Sequence, residues 1–66
     1  MRIHLNGEPR EISESLTISG LLESAGYTQR RVAVEVNRDI VPKSRHSLHR
    51  LQDGDRVEIV QAIGGG

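Results

Sequence analysis

The apolar residues of this chain change their spacing twice, and these changes limit the folds that the chain can adopt. Ile3 and Leu5 alternate with polar residues, which is the period of a half-buried β-strand. After Thr17 the apolar residues recur at the spacing of one helix face; they are Ile18, Leu21, Leu22 and Ala25. Alternation returns in VAVEVN, residues 32–37. The pattern predicts strands on both sides of one short helix, and therefore an α+β fold.

A hairpin is predicted at the start of the chain. The pair Asn6-Gly7 is a strong signal for a two-residue hairpin turn. A second strand, through about Glu11 and Ile12, is therefore expected to pair back on the first. Pro9 lies in this second strand and places it at a sheet edge, because proline has no N–H to donate to a central ladder.

The predicted helix has signals at both of its ends. Thr17 is a candidate N-cap, because its hydroxyl oxygen can accept a hydrogen bond from the first turn. Gly26 is a candidate C′ residue, where a left-handed backbone conformation commonly ends a helix. Gly20 lies inside the helix and weakens it, so packing against the sheet must hold the helix in place.

The second half of the chain predicts two short elements before its last strand. A tight connection over residues 37–39 leads to a short strand at Ile40 and Val41, which Pro42 ends. The polar stretch KSRHSLHRL follows, and it predicts at most one helical turn, with Leu48 and Leu51 facing inward.

The last strand begins after the turn sequence DGD, residues 53–55, with Val57 and Ile59 on its core side. The order of hairpin, helix, two strands and last strand predicts a ubiquitin-like β-grasp, a mixed sheet of four to five strands packed on one short helix. The long apolar last strand is expected in the sheet centre, parallel to the first. We expect one β-grasp domain over residues 1–63 and a flexible glycine tail at 64–66, because glycine loses the most backbone entropy on ordering.

Composition excludes several classes of function. The chain has 66 residues, too few for a deep catalytic cleft, and its nine basic and nine acidic side chains cancel, so we expect no nucleic-acid partner. It has no cysteine, which leaves no disulfide, thiolate metal site or thiol nucleophile. We find no apolar stretch of membrane-spanning length and no signal peptide. These features predict a soluble cytoplasmic protein without a membrane partner.

The β-grasp order, VNRDIVP at residues 36–42 and LQDGDRVEIVQAIGGG at residues 51–66 together resemble the ThiS family, the sulfur carrier proteins of thiamin biosynthesis. The resemblance covers essentially the whole chain. It implies that a ThiF-like adenylating enzyme couples the carboxylate of Gly66 to AMP from ATP. Sulfur, ultimately from a donor such as a cysteine desulfurase, then gives a thiocarboxylate, which a ThiG-like thiazole synthase uses. One departure is His46, where family members often have an aromatic residue.

In this interpretation the chain is a protein co-substrate and not an enzyme, with no bound cofactor, and the partner enzyme consumes the ATP. The residues after Gln61 could extend on the order of 15 Å beyond the domain. Gly64 and Gly65 would let the tail enter a narrow channel, and without cysteine Gly66 is the only plausible residue to carry the sulfur. A candidate surface for binding the partner enzymes consists of Arg30, Arg31, Ala33, Val60 and Ala62.

Two other functions remain open. The chain could be a carrier for another pathway, such as the small subunit of molybdopterin synthase, or a non-catalytic β-grasp interaction module with incidental glycines. His46 and His49 have a spacing that could bind a metal, but no third ligand is in view, so a solvated loop without metal is favoured. Asp53 and Asp55 are expected to form a turn. We expect the free protein to be a monomer.

Deleting Gly65 and Gly66 is expected to leave thermal unfolding nearly unchanged and to abolish thiocarboxylate formation, because glycines bury no side chain but carry the reacting carboxylate. Calorimetry measures the first effect. Intact mass after incubation with an adenylating enzyme, ATP and a sulfur source measures the second. A shortened chain that still gained sulfur, or that failed to fold, would contradict this division between domain and tail.

Overall fold

The computed structural model describes residues 1–28 and 30–61. These residues form a five-stranded mixed sheet that packs against one α-helix. The elements in chain order are β1 (Arg2–Leu5), β2 (Glu8–Glu11), α1 (Ile18–Ser24), β3 (Val32–Val36), β4 (Asp39–Val41), a 3₁₀ turn (Lys43–Arg45) and β5 (Arg56–Gln61). The strand order across the sheet is β2-β1-β5-β3-β4, with β1 and β5 parallel and the other neighbours antiparallel. The predicted β-grasp is confirmed, with β2 at an edge.

Strand β5 occupies the centre of the sheet and carries part of the core. Its inward side chains, Val57 and Ile59, are both buried. The other members of the buried cluster come from β1, α1, β3, β4 and the loop before β5; they are Ile3, Ile18, Leu21, Val34, Val36, Val41 and Leu51. A strand flanked on both sides and covered by a helix excludes water from its inner face, which explains why the last strand is rich in valine and isoleucine.

Helix α1 is only seven residues long, so it depends on its caps and on packing. Thr17 is its N-cap, as predicted, and the Thr17 hydroxyl accepts a hydrogen bond of 3.1 Å from the Gly20 amide. Gly26 follows the C-cap with φ +85°, the predicted C′ geometry. Gly20 has a packing role that its helix propensity did not predict. A Cβ atom added there would lie 2.6 Å from a methyl group of Leu16.

Asparagine side chains from both hairpin turns bind β5. The Oδ1 atom of Asn6 accepts a hydrogen bond of 2.8 Å from the Ile59 amide. The Oδ1 atom of Asn37 accepts one of 3.0 Å from the Arg56 amide. Both residues have a positive φ, 51° and 52°, a conformation that asparagine tolerates better than most residues. Each turn therefore closes its own hairpin and also extends the hydrogen bonding along one side of β5.

The two aspartates of the DGD turn are turn residues, as predicted, but the structure separates their roles. Asp53 is exposed and accepts a hydrogen bond of 2.8 Å from the Arg2 amide. Asp55 is 8% exposed, and its two carboxylate oxygens accept hydrogen bonds from the Gln52 amide and from Nδ2 of Asn37. Asp55 thus connects the turn before β5 to the β3–β4 turn.

Two predictions for the stretch after β4 are wrong. Leu48 is 67% exposed, whereas Leu51 is buried as predicted. His46, expected in a solvated loop, is 6% exposed, and its Nε2 atom lies 3.0 Å from the carbonyl oxygen of Val41. The 3₁₀ turn directs the imidazole inward, where the Val41 carbonyl satisfies one ring nitrogen, and leaves Leu48 on the outside.

Replacing Asp55 with Ala is expected to lower the free energy of unfolding by about 2 kcal/mol, because the donors from Gln52 and Asn37 lose their acceptor in a largely buried position. Replacing Asp53 with Ala is the matched control, and its exposed hydrogen bond predicts a loss of about 0.5 kcal/mol. Urea unfolding of both variants measures the difference. Equal losses would show that burial at Asp55 is unimportant.

Candidate functional site

The described part of the chain ends on β5, near β3 and the β1–β2 turn. Gln61 pairs with Val32 at the beginning of β3, and Val60 pairs with Ala33. On the other side of β5, the Asn6 side chain of the β1–β2 turn holds the Ile59 amide. Gln61, the last described residue, therefore lies next to the beginning of β3 and near the first hairpin turn.

The open face of the sheet, on the side away from α1, carries exposed apolar residues near this point. Val60 is 57% exposed, and its partner Ala33 is also exposed. Ile40 on β4 is the most exposed large apolar residue of the described chain at 71%, and it pairs with Glu35. Ala33, Val60 and Ile40 thus expose apolar side chains on the same face of the sheet. The alternation of Ile40 with the buried Val41 is the sequence signal that identifies it.

Two glutamates lie between these apolar residues. Glu35 on β3 is the direct cross-strand partner of Glu58 on β5. Like charges in this position destabilise an antiparallel pair by a fraction of a kcal/mol. The open face thus combines a local negative charge with exposed apolar side chains.

A groove lies at the other side of β3, between its first residues and α1. Its volume is about 870 Å³. Three half-buried apolar side chains line it, those of Leu22, Tyr27 and Val32. Three cationic residues also line it; they are Arg30, Arg31 and Lys43. Arg30, Arg31 and Ala33 therefore line this groove together, and Ala33 also borders the open face, where Val60 is its strand partner. The sequence did not predict the groove, because Lys43 and Tyr27 are distant in the chain.

The histidines serve the fold. The backbone carbonyl oxygens of His46 and His49 accept hydrogen bonds from the amides of Ser19 and Ile18, at the beginning of α1. Within residues 1–28 and 30–61, no three His, Cys, Asp or Glu side chains are grouped so that they could hold a metal ion. The same described residues contain no helix long and apolar enough to cross a membrane.

Several predicted site residues lie outside the described part of the chain. They are Ala62, Gly64, Gly65 and Gly66. The predicted domain boundary at residue 63 lies there too, so the tail and its reacting carboxylate remain predictions from the sequence.

Comparison with known proteins identifies the family. The sequence model of the ThiS family matches residues 3–66. The chain belongs to the ThiS family. A crystal structure of thiamine biosynthesis protein ThiS from Geobacter metallireducens superposes on this ThiS-family chain with a TM-score of 0.86 and 32% sequence identity, over the full length of both chains. The family resemblance found in the sequence is confirmed, together with the β-grasp fold.

Relatives of this ThiS-family chain fall into two size classes. The sulfur carrier protein ThiS of Escherichia coli K12 is 33% identical over 66 residues, which cover all of both chains. A thiazole synthase of Paramagnetospirillum magneticum is 48% identical and one of Magnetococcus marinus is 42% identical, each over the whole of this chain. This chain spans only 20% of the length of those two relatives.

Replacing His46 with Ala is expected to lower the free energy of unfolding by about 2 to 3 kcal/mol, because it leaves a cavity and removes the contact of the ring with the Val41 carbonyl. The half-buried His49 is the control, and His49→Ala should cost less than about 1 kcal/mol. Thermal unfolding with and without zinc distinguishes this structural role from metal binding. A zinc-dependent rise in midpoint that either variant removes would contradict the assignment.

Proposed function

We propose that this chain is a sulfur carrier of thiamin biosynthesis, a protein co-substrate that delivers sulfur for thiazole formation. The observation that carries the proposal is the match of the ThiS family to residues 3–66, a range that includes the glycine run. Relatives of nearly equal length are named sulfur carrier protein ThiS, which favours thiamin biosynthesis over the molybdopterin pathway and over a plain interaction module.

The proposed chemistry takes place at Gly66. A free carboxylate is a poor electrophile, so a partner enzyme first joins it to the α-phosphorus of ATP and releases pyrophosphate. The acyl-adenylate has a good leaving group. A persulfide, formed ultimately by a donor such as a cysteine desulfurase, attacks the carbonyl carbon and displaces AMP, which gives an acyl disulfide. A thiol then attacks the donor's sulfur in this S–S bond, so that the thiocarboxylate leaves and the thiol ends in a disulfide with the donor. In this proposal the carrier binds no cofactor of its own, and the adenylating enzyme consumes the ATP.

A thiazole synthase is the proposed acceptor of the sulfur. Two proteins with that name contain a segment similar to this whole chain within a polypeptide about five times as long. Domains joined in one chain commonly act on the same substrate, so the names support this partner. We assign the reaction to the cytoplasm, where ATP is available and where reducing conditions preserve sulfur in its reduced form.

The described residues supply the platform for this chemistry. Strand β5 pairs with β3 up to Gln61 and accepts the support of Asn6 at Ile59, so Gln61, three residues before the glycine tail, is held by the sheet. Ala33 and Val60 form the exposed apolar surface beside it, and with Ala62, Arg30 and Arg31 they are the proposed surface for partner enzymes. Gly64 and Gly65 would pass through a channel too narrow for side chains, so that the carboxylate reaches the phosphorus of ATP.

Replacing Gly65 with Val is expected to lower ATP-dependent activation on the order of a hundredfold, because a β-branched side chain excludes positive φ and displaces the carboxylate by about 1 Å. Partner affinity should change little, since the docking surface is intact. The measurement is a pair, a binding titration and activation at saturating carrier.

Gln61→Val is the matched control for this experiment. It adds the same side chain at an exposed β5 position, where valine fits a strand, and activation should remain normal. Normal activation of the Gly65→Val variant would show that the tail acts only as a tether. Absence of any thiocarboxylate on the unmodified chain, with adenylating enzyme, ATP and a sulfur source present, would overturn the proposed function.

A further inference from the structure

The groove beside α1 contains a strand edge that β4 does not cover. The pairing of β3 with β5 extends to Val32, whereas the pairing of β3 with β4 begins only at Val34. Strand β4 is three residues long and ends at Val41, after which Pro42 leads into the 3₁₀ turn. Within the described residues, Val32 and Ala33 therefore have a strand neighbour on one side only, and the groove lies along them.

The groove has an excess of positive charge in a chain whose net charge is zero. Arg30, Arg31 and Lys43 line it, against one acidic residue, Glu23. The ion pair found in the described structure joins Arg2 and Glu11, on the far side of the sheet. Over residues 1–28 and 30–61, Arg30 and Lys43 thus form no ion pair. Their charge is available to a partner that approaches the groove.

The apolar floor and the cationic rim together specify the chemistry of an occupant. Leu22, Tyr27 and Val32 offer half-buried apolar surface that an aliphatic or aromatic side chain could cover. A flexible acidic segment would bring carboxylates close to the cationic residues of the groove. Nucleic acid is a poorer fit, because three cations beside one aromatic ring do not form the extended basic and stacking surface that it requires.

We propose that this groove docks an acidic segment with an apolar anchor, presented by the adenylating enzyme that receives the glycine tail. The inference rests on the proposed function for the identity of that protein. Its location supports it, because Val32 lines the groove and is also the strand partner of Gln61, the last described residue before the tail. A protein that holds the tail therefore lies next to the groove. Charge complementarity at such a contact raises the association rate and selects the partner.

The first test reverses charge in the groove and measures activation by the adenylating enzyme. The double variant Arg30→Glu with Lys43→Glu is expected to raise KM for the carrier by about tenfold, with kcat nearly unchanged, because the contact contributes to docking and not to the reacting carboxylate. Arg38→Glu is the control; Arg38 is exposed in the β3–β4 turn at the opposite end of β3, and its KM should equal that of the unmodified chain. The charge-preserving double variant, Arg30→Lys with Lys43→Arg, should keep the KM of the unmodified chain.

The outcomes separate the two proposals. If the unmodified chain gains a thiocarboxylate and the charge-reversed variant has the same KM, the groove proposal is overturned and the proposed function stands. If the unmodified chain gains none, the proposed function fails. In that case the second test still decides the groove.

The second test uses the ¹⁵N-labelled chain without any enzyme. The probe is a capped ten-residue peptide of alternating acidic and apolar residues. We expect amide shifts at Thr28, Val32 and Lys43 that weaken with added salt. A peptide with lysine in place of each acidic residue, and one with serine in place of each apolar residue, should give no shifts there. Shifts confined to Val60 and Ile40 on the open face, or equal binding of the lysine peptide, would overturn the proposal.

Discussion

The hydrogen bonding of β5 on both of its sides is the interaction on which the rest of the structure depends. Parallel pairing with β1 and antiparallel pairing with β3 join the two halves of the chain in one sheet. Asn6 and Asn37, each at the tip of a hairpin, add a side-chain acceptor on each side. Because β5 is the last strand in the chain order and lies in the centre of the sheet, the sheet is complete only when β5 has paired with both β1 and β3. The C-terminal end of β5 is then fixed relative to the other strands.

Because the core is small, hydrogen bonds contribute much of the stability of this fold. A helix of seven residues is marginal alone, and here the carbonyls of His46 and His49 accept hydrogen bonds from its first amides while Ile18 and Leu21 fill the core. The loop after β4 thus supports the helix, and the helix covers β5. The buried side chains of the described chain all precede Gln61.

The two surfaces beside the end of β5 differ in chemistry. The open face presents Val60, Ala33 and Ile40 around the opposed pair Glu35 and Glu58, whereas the groove presents cations above an apolar floor. A partner with a basic or apolar surface suits the first, and one with an acidic segment suits the second. In the proposed function several enzymes handle the same tail in turn. Surfaces of opposite charge on its two sides would let each enzyme recognise the carrier through its own contacts.

Local chemistry was sufficient to predict the strands, the caps and turns of this protein, and its family. Alternation placed Val34 and Val57 inside, the Thr17 hydroxyl began the helix, and the Asn6-Gly7 pair closed the hairpin, because each signal acts over a few neighbouring residues. Residues such as His46 and Leu48 follow no such period, so only the packing of the loop against β4 and α1 decided which one is buried. The groove likewise exists because β4 is shorter than β3, a relation between distant segments that becomes visible only when the sheet has formed.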